Sequence, residues 1–216
     1  MKSPALRFAV AALLLSGVPS TVAANTYWYM GLGMGLGWVQ FYPADFSPSP
    51  CPTTCADTKQ EFDAGFKGFV GYQINRSWAF EASVTTVGKF HYKRDNGTVV
   101  QDAIYKVKGL GLSFVPTIPF TRNFSLYGRL GAFSSQTRLT VHNENFVPGT
   151  ASSGVQSNQF SPLTGFGAQY LFDEESGIRV EFENFGKVGS ACSISSPNCT
   201  GRANAKMISA SLIFPF

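Results

Sequence analysis

The sequence predicts an all-β fold: an eight-stranded antiparallel transmembrane β-barrel with short periplasmic turns and long extracellular loops. Three features predict it. The stretch "WYMGLGMGLGW" puts Gly31, Gly33, Gly35 and Gly37 on one parity and Trp28, Met30, Leu32, Met34, Leu36 and Trp38 on the other. Similar alternating stretches recur along the chain, with connections that alternate long and short. The N-terminus has the pattern of an export leader: Lys2 and Arg7 precede "FAVAALLLSGV", and Val22–Ala24 offers small residues for cleavage before Asn25. Residues 1–24 are therefore expected to be a cleaved signal peptide, and residues 25–216 a single barrel domain of the Gram-negative outer membrane.

The glycine run has rival readings. A dinucleotide loop needs G-x-G-x-x-G between a strand and a helix, and neither the spacing nor a following helix pattern is present. A membrane helix with G-x-x-x-G faces would split these glycines over two sides and lose about 1 kcal/mol at each one. A strand places every large apolar group on one face and every glycine on the other. A narrow closed barrel explains the glycines, because its inner face must mix small and large residues. Ten residue steps of about 3.3 Å, tilted roughly 40°, rise about 25 Å, the height of an outer-membrane apolar band. A tryptophan at each end matches the two aromatic girdles of such a band.

The later elements follow in order. "PADFSPSPCPTTCADTK" reads as a long loop. "EFDAGFKGFVGYQI" turns Phe62, Ala64, Phe66, Val70 and Tyr72 outward and Asp63, Gly65, Lys67 and Gly71 inward. A tight turn at Asn75–Arg76 leads to "SWAFEASVTTVGKF", with Trp78, Phe80, Ala82 and Val84 outward and Glu81, Ser83 and, by strict parity, Lys89 inward. "KRDNGT" is a polar turn. "IYKVKGLGLSFV" turns Leu110, Leu112 and Phe114 outward, and its parity carries Lys106 and Lys108 outward too. Either these lysines lie above the lipid or a bulge shifts the phase. After "PTIPFTRN", "FSLYGRLGAF" sets Tyr127 and Arg129 inward. A long loop "HNENFVPGTASSG" precedes "FSPLTGFGAQYLF". "DEESG" then turns into "IRVEFEN", with Arg179, Glu181 and Glu183 inward, and a last loop precedes "AKMISASLIFPF". An even strand count leaves both ends of the barrel on the periplasmic side.

Composition narrows the partners. The formal charge of +4 falls to about +2 without Lys2 and Arg7, so basicity offers no argument for nucleic acid. Beyond the leader no run approaches the eighteen apolar residues of a membrane helix. Cys51, Cys55, Cys192 and Cys199 would meet an oxidising compartment, which favours disulfides. Proximity favours Cys51–Cys55 and Cys192–Cys199, although three connectivities exist. The rival is zinc, for which C-x3-C and C-x6-C without nearby histidine are poor spacings. No cofactor motif is present.

"WYMGLGMGLGWVQFY", "GYQINRSWAFE", "YGRLGAF", "SPLTGFGAQY" and "IRVEFEN" resemble, in order, strand segments of the outer membrane protein A transmembrane domain. The resemblance covers Asn25 to Phe216. It implies that the terminal Phe216 is a signal for the barrel-assembly machinery, that Arg129 in "YGRLG" joins an interior ion-pair network, and that the barrel is a monomer. The chain stops at the eighth strand, so the peptidoglycan-binding domain of longer members, and with it cell-wall tethering, is not expected. The loop cysteines are a second departure and suggest braced external loops.

The chemistry then divides between interior and rim. Asp63, Lys67, Glu81, Arg129, Arg179, Glu181 and Glu183 fall on inward parity, and buried charges must be paired. They are expected to form an ion-pair network, either a static plug or the gate of a narrow water path. A filled barrel leaves no cleft for glycosidase carboxylates. A lipid-deacylating barrel would need a serine with a histidine base, and His91 and His142 show no such spacing. Lys89, Lys93, Arg94, Lys106, Lys108 and Arg138 gather near the external ends of three neighbouring strands. There they either contact lipopolysaccharide phosphates or form a solvated rim. The function expected is a structural or surface-interaction barrel that presents its loops to an extracellular ligand. The alternatives are a small ion-pair-gated channel and, more distantly, a lipid-modifying enzyme.

Overall fold

The structure is a computed structural model that describes residues 26–41, 56–95, 100–143, 153–191 and 200–216. Residues 1–24, expected to be a signal peptide, and Cys51, Cys55, Cys192 and Cys199 lie outside the described residues. Among the described residues nine antiparallel strands run in order: β1 Tyr27–Phe41, β2 Ala56–Gln60, β3 Phe62–Asn75, β4 Trp78–Asp95, β5 Val100–Pro119, β6 Phe124–Asn143, β7 Ser153–Leu171, β8 Gly177–Val188 and β9 Ala203–Pro215. Both β2 and β3 pair with β4, so they form one stave interrupted at Glu61. The sheet order β2-β4-β3-β1-β9-β8-β7-β6-β5, with β4 also paired to β5, closes an eight-stranded barrel. The seam between first and last strand ends in a reciprocal pair: Phe216 N–H donates to the Trp28 carbonyl at 2.8 Å and Trp28 N–H to the Phe216 carbonyl at 3.2 Å.

Three expectations change. Residues 56–59, read as the end of a loop, belong to a strand that runs from Ala56 to Gln60. The β4 to β6 strands also reach further outward than their apolar stretches: "KRD" belongs to β4, and β5 and β6 each have 20 residues. About ten residues suffice to cross the bilayer, so the remainder stands above it. Lys89 does not face inward. A bulge between Thr86 and Gly88 resets the phase of β4, and Lys89 is exposed. Gly88 has φ 148°, a conformation that glycine adopts without strain, and Val87 is tucked inside beside it. In contrast β5 keeps its register with β6 from Gln101↔Asn143 to Phe114↔Leu130, so Lys106 and Lys108 point outward with no bulge on their own strand.

Short turns close the periplasmic end. Ser77 N–H donates to Asn75 Oδ1 at 2.9 Å. Asp173 Oδ1 accepts from Ser176 Oγ (2.8 Å), Glu175 N (2.9 Å) and Ser176 N (2.6 Å). These bonds to the ionised form, the Ser176 hydroxyl first, hold the exposed carboxyl below the ordinary aspartate range.

The outside is apolar. Leu32 is 72% exposed and Met34 66%, where a water-soluble protein would bury them. Trp28 against Tyr72 (4.9 Å) and Trp78 stacked on Phe114 (5.0 Å) form part of a periplasmic girdle. Trp38 sits between Phe182 (5.7 Å) and Phe62 (6.4 Å) towards the other rim. The inside is layered. Towards the external end Val39, Phe41, Phe90, Tyr105, Phe133, Leu163, Phe185 and Met207 belong to one buried apolar cluster. Towards the periplasm Tyr29, Phe69, Val115, Tyr127 and Ile213 belong to a second.

Candidate functional site

Between the two apolar layers lies a belt of six buried charges, contributed by β3, β4, β6 and β8. Neighbouring strands make room for it with small residues. Lys67 stands opposite Gly33 and Thr85, Glu81 opposite Gly71 and Ser113, and Arg129 opposite Gly165. Glu181 stands opposite Gly167 and Ser209. The glycine row of β1 is similarly crowded: an added Cβ at Gly33 would meet Ser211 Oγ, and at Gly37 the Val87 carbonyl. Glycine is required there because strand and neighbouring side chains approach within a single atom's width.

Three cations meet three carboxylates. Lys67 Nζ donates to Glu181 Oε1 at 2.5 Å and Glu183 Oε1 at 2.8 Å. Arg129 Nη2 donates to Glu81 Oε1 and to Glu181 Oε2, the latter at 3.1 Å, and Arg129 Nε lies 3.5 Å from Glu183 Oε1. Arg179 Nη1 donates to Glu81 Oε2 at 2.6 Å. Tyrosines complete the belt: Tyr29 Oη donates to Glu81 Oε2 at 3.1 Å and Tyr127 Oη to Glu181 Oε2 at 2.9 Å. The Arg179 guanidinium also lies 4.7 Å from the Tyr127 ring centre and 4.8 Å from that of Phe69, within cation–π range. The charges are balanced in sign and paired with one another between the two apolar clusters, and Arg179 also lines a small cavity on the periplasmic side with Tyr29, Gln73 and Gln169.

Asp63 stands apart from this belt. Its Oδ2 accepts the Lys89 backbone N–H at 2.6 Å, so it secures the bulge instead. Sequence parity pointed inward for Tyr127 but gave no reason to link Tyr29, Ser113 or Gln169 to the charges. Ser113 Oγ accepts from Arg129 Nη1 at 3.2 Å and Gln169 Oε1 from Arg179 Nη2 at 3.0 Å. Inward parity beside a charge was the only available clue.

On the outer face, register brings Lys89 directly opposite Lys106, and Lys106 directly opposite Arg138. Lys108 follows two residues along β5 towards the lipid, and all four side chains are exposed. Lys93 lies further out, opposite Thr58 and Asp102. Arg94 pairs in register with Asp57 and Gln101, and its side chain lies outside the described residues. His91 sits half-buried on β4, opposite Gln60. The ends of the β8–β9 connection are tied by Ser190 N–H to Thr200 Oγ1 (3.0 Å) and Thr200 N–H to Ser190 Oγ (3.2 Å).

Comparison with known proteins agrees with this architecture. Residues 23–216 match the family model described as the OmpA-like transmembrane domain. Outer membrane protein A of Shigella flexneri is 29% identical over 194 residues, covering 90% of this chain and 51% of that protein. The Salmonella typhi protein of the same name gives the same identity and coverage. The chain thus spans about half the length of these relatives. Among solved structures, outer membrane protein AlkL in lipid bilayers has a TM-score of 0.52 at 12% identity, covering 93% of this chain and 96% of that one. OprG from Pseudomonas aeruginosa has 0.51 at 12% identity, covering 89% and 96%. At such identities the likeness speaks for the fold alone. A closed barrel with an apolar exterior and a charged belt within, matched from its first strand to its last, belongs to the OmpA-like transmembrane domain family of outer-membrane proteins.

Proposed function

We propose that the protein is a sealed outer-membrane scaffold with a structural or surface-interaction role. It presents its external connections to ligands outside the cell and is neither an open channel nor an enzyme. The observation that carries this reading is the filled interior. Each charge of the belt is ion-paired to at least one of opposite sign, and a buried apolar cluster covers the belt on the external side. A rigid barrel holding long connections suits binding, because loops tolerate variation while the scaffold fixes their positions. The reading includes a monomer inserted by the barrel-assembly machinery through its Phe216 terminus. Its support is the continuous lipid-facing belt and the likeness to relatives named outer membrane protein A.

The test is single-channel conductance of the refolded chain in a planar bilayer, beside Arg129→Ala, with folding checked by heat-dependent gel mobility. Neither protein is expected to give discrete openings. Openings in the parent chain that change with Arg129→Ala would replace the scaffold by a gated channel.

A further inference from the structure

The cationic row on β4–β6 poses a problem that the protein alone does not solve. Like charges directly opposite one another across strands are destabilising. Here three stand in line, Lys89↔Lys106↔Arg138, with Lys108 beside them. Among the residues whose side chains are described, no carboxylate lies within ion-pair distance of any of the four. The four are of one sign and border the lipid-facing belt, and the first acid at the same parity of β5, Asp102, lies four residues further out than Lys106, opposite Lys93.

The belt below the row is also not uniform. The register line Leu32↔Gly68↔Val84↔Leu110↔Ser134↔Phe160 runs across the outer face of the barrel. Along it and the adjacent Ala82↔Leu112↔Ala132 line, small residues alternate with large ones. The result is an apolar groove with Gly68, Ala82, Ala132 and Ser134 on its floor and Leu110 and Phe160 on its walls. Phe160 is 79% exposed, a free-standing wall. The groove leads straight to the cations. Lys108 lies two residues, about 7 Å along β5, external to Leu110, and Lys106 lies four, about 13 Å. That is the step from acyl chains to headgroup.

We propose that the outer face of β4–β6 is a seat for lipid A, the phosphorylated, multiply acylated anchor of lipopolysaccharide in the outer leaflet. Lys89, Lys106, Lys108 and Arg138 hold its phosphates by charge-assisted hydrogen bonds, and an acyl chain lies in the groove over Ala132 and Ser134. The phosphates cancel the repulsion within the row, and the small residues give one chain a fixed path. An ordinary anionic phospholipid supplies one phosphate and fits the row less well. The seat lies outside the barrel, so a conducting interior would leave it intact.

The test is retention of lipid A by the refolded chain in phosphatidylcholine bicelles, counted by native mass spectrometry. Phosphatidylglycerol at equal charge and dephosphorylated lipid A serve as competitors. Lipid A is expected to be retained in preference to both. Lys106→Gln/Arg138→Gln should lower its retention about tenfold, because two charge-assisted bonds are lost. Ala132→Phe should lower it by filling the groove. Arg76→Gln/Arg122→Gln, which removes two periplasmic-side cations, should leave it unchanged. Raising the salt concentration with the unsubstituted chain gives a readout free of folding effects, and retention should fall. Equal retention of either competitor, indifference to salt or to Lys106→Gln/Arg138→Gln, or an equal loss in the periplasmic control would overturn the seat.

Discussion

Arg129 touches all three carboxylates of the interior belt and is itself fully buried. Removing one partner from such a set leaves charge uncompensated in a dry interior, which costs more than the pair itself contributes. Arg129→Ala is therefore expected to lower unfolding stability by about 3–5 kcal/mol, read from urea midpoints in lipid vesicles. Arg129→Leu combined with Glu81→Leu should recover part of that loss. An Arg129→Ala midpoint equal to the parent's would show that water or another group already serves the carboxylates. The inward parity of Arg129, Glu181 and Lys67 is legible in the sequence. Who meets whom is not: Lys67 and Glu181 are 114 positions apart, and Arg129 and Glu81 are 48. Asp63 shows the limit of parity, since it shares the inward face yet bonds the backbone of the bulge.

Each strand is a two-faced element, and β1 is the plainest of them. Its outward row crosses the bilayer between Trp28 and Trp38, and Leu32 stands near the middle. Leu32→Arg should cost about 2–4 kcal/mol in vesicles, and Gln40→Arg, beyond the Trp38 girdle, about 0–1 kcal/mol. Equal costs at both sites would mean that β1 does not cross at this depth. Alternation alone predicted this element because its period is unbroken from Tyr27 to Phe41. On β4 the same rule fails midway. A glycine inside a strand, as Gly88 is, suits a bulge, but alternation by itself runs straight through it. Only the partner strand determines that Val87 is the extra residue, and that choice carries Lys89 from the inner parity to the outer face.

For the molecule as a whole, closure is the decisive property. The seam pairs β1 and β9 from Tyr29↔Pro215 to Phe41↔Ala203, so among the described residues every strand but the short β2 is paired on both sides. Amides in the middle of β1 and β9 should consequently exchange with deuterium as slowly as those of β5 and β6, measured in lipid vesicles. Markedly faster exchange at the seam would indicate an open sheet. The period-two pattern, the girdle tryptophans and the alternation of long and short connections were enough, by themselves, to determine a lipid-facing barrel of eight strands. These are local properties, written within each strand by the requirement that one face meets lipid and the other a narrow interior. The sheared register around the barrel was decided only by the tertiary structure. It assembles the six-charge belt, expels Asp63 from it, and lines up Lys89, Lys106 and Arg138. Pairing between strands depends on where bulges fall and how the ring closes, and those are settled by all eight staves together.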